Sequence, residues 1–441
     1  MPLQLIAGRH DGSFAVIPRR NPPPMKARTR NPRPHNPLPE SPYEVLALFT
    51  GAMAGASLWI MSTGALMPFF TAELHVGQTQ LGLILSIQLV GSVAMTSVAG
   101  LLTDRFGDKA VVLWSGAVMG LALIAASLAE NYRWLICWLL IYGIGYAAVT
   151  PAGSHAIIFF FRKADRGFAM GVRQCGVPIA GALGSVVLPA IALHFRYTGA
   201  LAAAGLFTVA TCSIASLLYR EPRELAGERV SVRAMLADML TIAREAPLIF
   251  LTLNAMVLIC AQFALMGFFT LTLVHSAGYS LALAVALFTL AQFAAIFGRL
   301  SWGWMSDRFF GASRALPLAL VCVLVALVAF GVASISPATP LWLAAAIAAA
   351  LGFAAEGWLG LSIIGFAEIG GEERCGSALG VGLTWTLFAG FVTPVIFGAL
   401  VQALGFPAAW RALAAFELVG VVPALLASAM VSRAIAAHSS S

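Results

Sequence analysis

The chain has 441 residues, of which 60% are hydrophobic and 10% charged, and its net charge is +7. A soluble domain carries roughly 25% charged residues, so this composition excludes a soluble globule and points to apolar runs that cross a bilayer. Six scattered cysteines form no CxxC pair, and the sequence holds no HExxH, Walker loop or Cys/His cluster. It therefore implies no metal site, no cofactor and no enzyme.

In chain order, residues 1–43 come first, a Pro/Arg-rich stretch with no apolar period. That composition predicts a disordered basic tail. It either touches anionic lipid or is a non-functional extension ahead of a true start at Met25. Twelve apolar runs follow, near 46–70, 80–103, 110–129, 133–160, 168–193, 199–219, 247–273, 280–305, 315–335, 340–366, 377–401 and 407–431. Each is long enough to span a membrane as a helix, and glycines inside them suit close helix–helix approach. Between runs six and seven, residues 220–246 carry five arginines and five acids. Apolar positions Val232, Met235, Leu236, Met239 and Leu240 recur there at helical spacing, which predicts an amphipathic cytoplasmic helix. The expected organisation is a tail (1–43), a six-helix half (44–219), a linker (220–246), a second six-helix half (247–433) and a short tail (434–441).

Charge sets the expected orientation. With the N-terminus inside, 21 of the 26 Lys and Arg fall on the cytoplasmic side. Arg133, Arg196 and Arg411 fall outside, and Arg173 and Arg299 inside spans. This positive-inside bias places both termini in the cytoplasm. The basic balance thus reports topology and implies no nucleic-acid partner.

One charged turn occurs twice. Gly100-Leu-Leu-Thr-Asp104-Arg105-Phe-Gly107-Asp-Lys109 closes span two, and Gly303-Trp-Met-Ser-Asp307-Arg308-Phe-Phe-Gly311 closes span eight, 203 residues later. Gly167-Phe-Ala-Met-Gly171-Val and Gly376-Ser-Ala-Leu-Gly380-Val open spans five and eleven at an offset of 209. Two similar halves of membrane helices are a common build for secondary transporters.

At these residues the chain resembles the major facilitator superfamily, over about residues 44–433. The family's loop reads G-x-x-x-D-R-x-G-R-[RK]. Gly100, Asp104, Arg105, Gly107 and Lys109 match it, while Asp108 departs. The second copy keeps Gly303, Asp307 and Arg308. The resemblance implies an all-α membrane fold of twelve helices in two pseudo-symmetric six-helix halves. It also implies that these eight residues gate the inward side. Physically, glycine permits close helix approach, Asp104 at a helix end can accept hydrogen bonds from a neighbouring helix N-terminus, and Arg105 and Lys109 can pair with acids or phosphates. The alternative is a merely solvated loop. The arginine that drug/proton antiporters place early in span four is missing here, where Leu139 stands four residues before Gly143. Gly298-Arg299-Leu-Ser-Trp302-Gly303-Trp304-Met-Ser-Asp307 looks instead like span eight of oxalate/formate antiporters and monocarboxylate transporters, where the matching arginine binds the substrate carboxylate.

Ionised side chains are costly inside a membrane, so each is a functional candidate. Arg299 lies eight residues before Asp307, roughly 12 Å into the span, and Arg173 lies roughly 9 Å inside span five. Arginine's planar fork suits a carboxylate, and two arginines, one per half, would form a clamp. The competing readings are carbonyl capping for Arg299 and snorkelling or gating for Arg173. Gln292 shares Arg299's helical face. Glu356, the acid deepest in a span, could carry a proton or hold a fixed ion pair. Gln88, Asn254 and Gln262 are expected to line the substrate cavity. Glu417 is expected to be structural, and His155 a hydrogen-bonded core residue. Trp59, Trp358 and Trp385 could wall the cavity or simply pack.

The expected function is secondary transport of a small organic solute, an organic anion such as a mono- or dicarboxylate, by alternating access. A proton or counter-anion drives it, in a monomer in the cytoplasmic (inner) membrane. The alternatives are a proton-driven drug or metabolite exporter and a non-transporting sensor on the same fold.

Overall fold

A chain in hydrocarbon must satisfy its backbone groups within each segment, which favours helices, and every described element is an α-helix. They are α1 (Pro42–Leu74), α2 (Gln78–Ser127), α3 (Tyr132–Phe160), α4 (Arg166–Leu218), α5 (Ala246–His275), α6 (Leu281–Phe309), α7 (Ala315–Ala333), α8 (Leu341–Ala355), α9 (Leu359–Leu404), α10 (Phe406–Val419) and α11 (Val421–Ser439). This computed structural model describes residues 41–161, 166–221, 239–310 and 313–439. The basic tail before Ser41 and most of the predicted linker helix (222–238) lie outside the described residues. So do the side chains of Gly100, Asp104, Arg105, His155, Asp307 and residues 371–376.

Eleven helical stretches among the described residues are long and apolar enough to cross a membrane. One of them, Ala169–Leu218, breaks its helix at Phe195 and Arg196. Counted as two crossings, it brings the total to the expected twelve. The turns are tighter than the sequence suggests. Spans two and three run together as α2, parted only by Gly107 at φ 83°, a left-handed conformation that glycine adopts freely. Spans five and six run together as α4, parted at Arg196, where φ is 63°. Glu73 at the end of α1 holds that strained corner. Its carboxylate accepts from Arg196 Nε at 2.7 Å and from the Tyr197 amide at 3.1 Å.

Helix starts follow local chemistry. Ser41 accepts from the Tyr43 amide while Glu44 accepts from the Ser41 amide, a reciprocal cap ahead of α1. Asn131 and Ser280 accept from Trp134 and Leu283 at the starts of α3 and α6. Spans ten and twelve, expected to be continuous, are each split, at Glu356–Trp358 and at Gly420.

Glycines set the helix–helix distances. In the first half, a Cβ on Gly91 would meet the Leu140 carbonyl of α3, and one on Gly143 would meet the Gln88 carbonyl of α2. The second half repeats the device. Gly298 of α6 abuts the Phe353 carbonyl of α8, and Gly352 of α8 abuts the Ala291 carbonyl of α6. Three seams then join the halves. Gly64 of α1 lies against the Met266 carbonyl of α5. Gly82 of α2 lies against the Pro394 carbonyl of α9, where Thr79 also donates to Gln402 at 2.9 Å. Gly181 of α4 lies against Gln292 of α6, and the hydroxyls of Ser185 and Thr289 meet at 2.7 Å.

Candidate functional site

Close to the third seam, both halves contribute buried polar groups that no protein atom satisfies. Arg173 on α4 is 1% exposed. Its Nη2 donates to the Ser154 hydroxyl of α3 at 3.1 Å, and Nη1 occupies the space that a side chain at Gly153 would fill. Nε and Nη1 are buried with no hydrogen-bond partner. Arg299 on α6 is in the same condition, its Nε and Nη2 buried and unpartnered. The Tyr146 hydroxyl of α3 interacts electrostatically with both guanidinium groups. An N-half arginine and a C-half arginine thus both lie within electrostatic range of one tyrosine.

Glu356 completes the cluster. It sits in the break between α8 and α9, fully buried. Oε1 accepts from Gln292 Nε2 at 3.0 Å, and Oε2 has no partner. Its charge attracts Arg299, yet no hydrogen bond joins the two at the arginine's Nε or Nη2. The break is built for this placement. Gly357 lets the chain pass the Phe353 carbonyl and Trp302, while the Trp302 and Trp358 indoles donate to the Phe353 and Ala355 carbonyls that the interruption frees. A buried donor left unmade costs about 1–3 kcal/mol. So many in one place mark a site arranged for something other than stability.

Of the sequence-predicted residues, the structure brings Gln292 and Glu356 into contact with Arg299 in electrostatic range of the acid, while Arg173 is held separately against Ser154. Gln88 is buried on α2 with both amide atoms unpartnered, and the Gln262 Oε1 on α5 is likewise free. Asn254 serves elsewhere, donating to the Gly420 carbonyl at 2.9 Å and to Cys322 Sγ at 3.2 Å. The Gly420 carbonyl also accepts from the Ala424 amide, so Asn254 adds a second donor where span twelve breaks. Glu417 joins that outlying knot, fully buried, with Cys260 and Cys322 in electrostatic contact. Trp59 and Trp358 are buried, and Trp385 is half exposed. Tyr146 and Ser154 were not singled out from the sequence. The one available signal was Gly143-Ile-Gly145-Tyr146 within an apolar span.

At the first charged turn α2 kinks at Gly107, and Asp108 starts its second helical segment. The Glu221 carboxylate, from the end of span six, lies against Gly107 and accepts from the Asp108 amide at 2.5 Å. Lys109 donates to the Tyr219 carbonyl at 3.0 Å, and Ser216 to the Lys109 carbonyl at 2.9 Å. Lys109 thus bonds a backbone carbonyl here, where the sequence suggested acids or phosphates as its partners. At the second turn, Arg314 bridges Ser306 at 3.1 Å and Glu368 at 2.9 Å. Arg308 is exposed, and nothing lies near the position of a Cβ on Gly303.

A family model described as Major Facilitator Superfamily matches residues 47–368. An uncharacterized MFS-type transporter of Mycobacterium tuberculosis is 25% identical over 86% of this chain and 84% of its own length. A probable sulfoacetate transporter of Cupriavidus necator is 26% identical over 77% of this chain and 82% of its own. A multi-drug resistance efflux pump of Streptococcus pneumoniae is 28% identical over 31% of this chain and 35% of its own. Among solved structures, a bacterial homolog of the human lysosomal transporter Spinster superposes with a TM-score of 0.69 at 16% identity, covering 88% of this chain and 95% of that one. That likeness is one of fold.

Proposed function

The chain belongs to the Major Facilitator Superfamily, and from that premise we propose that it moves a small organic anion, a carboxylate or sulfonate, across the cytoplasmic membrane by alternating access. The observation that carries the reading is the pair of arginines, one from each half, each with two buried donors that have no protein acceptor. An anion seated between them would take bidentate, charge-assisted bonds and be held by both halves at once. A substrate bound in this way draws the halves together around a fixed midplane site. Glu356, beside Arg299, is the residue through which a proton would be carried. Gln88 and Gln262 would offer neutral donors and acceptors to the rest of the solute. The turns at Gly100–Lys109 and Gly303–Arg308 would gate the inward side, with both termini in the cytoplasm and the protein working as a monomer. The relative named for sulfoacetate supports the anionic reading.

A second reading is export of drugs or metabolites. It is favoured by the efflux-pump relative, which matches a third of the chain, and it predicts stabilisation by apolar cations instead. The test is a thermal-shift screen of the purified full chain against sulfoacetate, small mono- and dicarboxylates and a set of lipophilic cations, followed by counterflow in proteoliposomes. Stabilisation and counterflow by an anion are expected. Stabilisation by cations alone would overturn the proposal, and binding without flux would make the protein a sensor.

A further inference from the structure

One side chain at the seam between the halves also touches the buried acid. Gly181 of α4 faces Gln292 of α6, and the space that a glycine side chain leaves empty is filled by the glutamine amide. An ideal Cβ at position 181 would lie 2.6 Å from Gln292 Oε1 and 2.8 Å from its Cδ. On the other side of the same amide, Nε2 donates to Glu356 at 3.0 Å. Oε1 has no hydrogen-bond partner, so packing against Gly181 fixes the amide from the N-half side. One turn away, Ser185 and Thr289 close the same seam with their hydroxyls 2.7 Å apart.

We infer that Gln292 is a positioning residue that couples closure of the seam between α4 and α6 to the hold on the Glu356 carboxyl. While the seam is packed, Gly181 presses the amide onto Glu356. When α4 and α6 part, the amide loses its backing and can swing away, and the carboxyl loses its donor. The charged and titratable groups facing Glu356 are few. Arg299 is on α6, with Tyr146 of α3 and Cys175 of α4 in turn near that arginine. Gln292 is thus a neutral group in contact with both the acid and the opposite half. The consequence for transport rests on the proposed role of Glu356 in carrying a proton: the acid would exchange its proton only when the halves move.

The test requires no transported solute, so it succeeds or fails independently of the anion proposal. Dicyclohexylcarbodiimide reacts with buried carboxyls, and the rate at Glu356 in the purified full chain can be followed by mass spectrometry at fixed pH. Glu417, remote from the seam, serves as internal reference. Gly181→Ala must displace the amide and Gln292→Leu removes its donor. Each should raise the rate at Glu356 by roughly two- to tenfold, the range implied by one lost hydrogen bond. Gly171→Ala, on the same helix with nothing near its Cβ position, should label like wild type. The second arm replaces Ser185 and Thr289 by cysteines and compares the same protein oxidised and reduced. The locked seam should label at least about twofold more slowly. Equal rates in the two redox states overturn the coupling. So does a wild-type rate in Gly181→Ala, whatever Gln292→Leu does. If Gly181→Ala fails to fold, the cysteine pair decides alone.

Discussion

Replacing Arg299 should pull stability and binding in opposite directions, a result that a merely structural arginine could not produce. Two of its donors, Nε and Nη2, are buried without partners. If they bind an anion, each charge-assisted bond is worth about 1.5–3 kcal/mol. Arg299→Gln forfeits both, about 3–6 kcal/mol, so the dissociation constant should rise at least about a hundredfold at 1.4 kcal/mol per decade. Arg299→Lys keeps the charge but loses the planar fork. It should weaken binding by one bond, about tenfold to a hundredfold. Without ligand the sign reverses. Two unmet donors and a buried charge are a cost that glutamine removes, so Arg299→Gln should melt no lower than wild type. The lost attraction between Arg299 and Glu356 works against this, and the double variant Arg299→Gln/Glu356→Gln separates that pairwise part. The assay is a melting curve of the full chain with and without sulfoacetate, or whichever anion of the panel stabilises most. At a hundred times the wild-type dissociation constant, wild type should gain about 2.7 kcal/mol and Arg299→Gln at most about 0.4 kcal/mol. A lower melting point with the ligand shift intact would refute the reasoning and make Arg299 a structural cap.

Three further outcomes are expected. Glu221→Ala removes the carboxylate that accepts from the Asp108 amide at the start of a helical segment, so the chain should lose about 1–2 kcal/mol of stability, read as a lower melting point. Asp104→Asn keeps volume and deletes a charge in the first charged turn, and if that turn gates as proposed, flux in proteoliposomes should fall at least about tenfold, the equivalent of ~1.4 kcal/mol, with normal insertion. Glu228→Cys, in the linker, should resist an impermeant thiol reagent in intact cells and react after permeabilisation. Reaction before permeabilisation would reverse the orientation drawn from the charge bias.

The apolar runs make the spans legible because lipid demands about 20 apolar residues per helix, and the repeated turn makes the two halves legible. Arg299, Gln292 and Glu356 stand out because polar groups at that depth are costly. Periodicity assigns a residue to a face of its own helix but does not say which helix lies opposite. Tyr146 and Ser154 therefore went unnoticed, although they border Arg173 and Arg299. Asn254 read as a cavity lining for the same reason. Its amide is taken by the Gly420 carbonyl and Cys322 Sγ, partners on other helices that the sequence around Asn254 does not identify. The break at Glu356 was equally hidden, since no proline marks it. Alanine-rich sequence runs up to it, and the capping indoles of Trp302 and Trp358 come from elsewhere in the chain or beyond the break.

The scaffold of the two halves is symmetric, but their chemistry is not. Gly143 against the Gln88 carbonyl and Gly352 against the Ala291 carbonyl are the same contact repeated at offsets of 209 and 203 residues, the spacings of the sequence repeat itself. Each contact lies inside one half, so the likeness is in how the two halves pack their own helices. At the centre the halves diverge. The first offers Gln88, a neutral amide with no partner, and Arg173, tied to Ser154. The second offers Gln292, committed to Glu356, and Arg299 beside that same acid. An acid placed in both halves would put two like charges in one dry site, each raising the cost of the other. Under the proposed function, one acid against two arginines would leave a net positive site for an anion with a single place to hold a proton. That asymmetry of charge would let a symmetric scaffold couple two different ions to one motion.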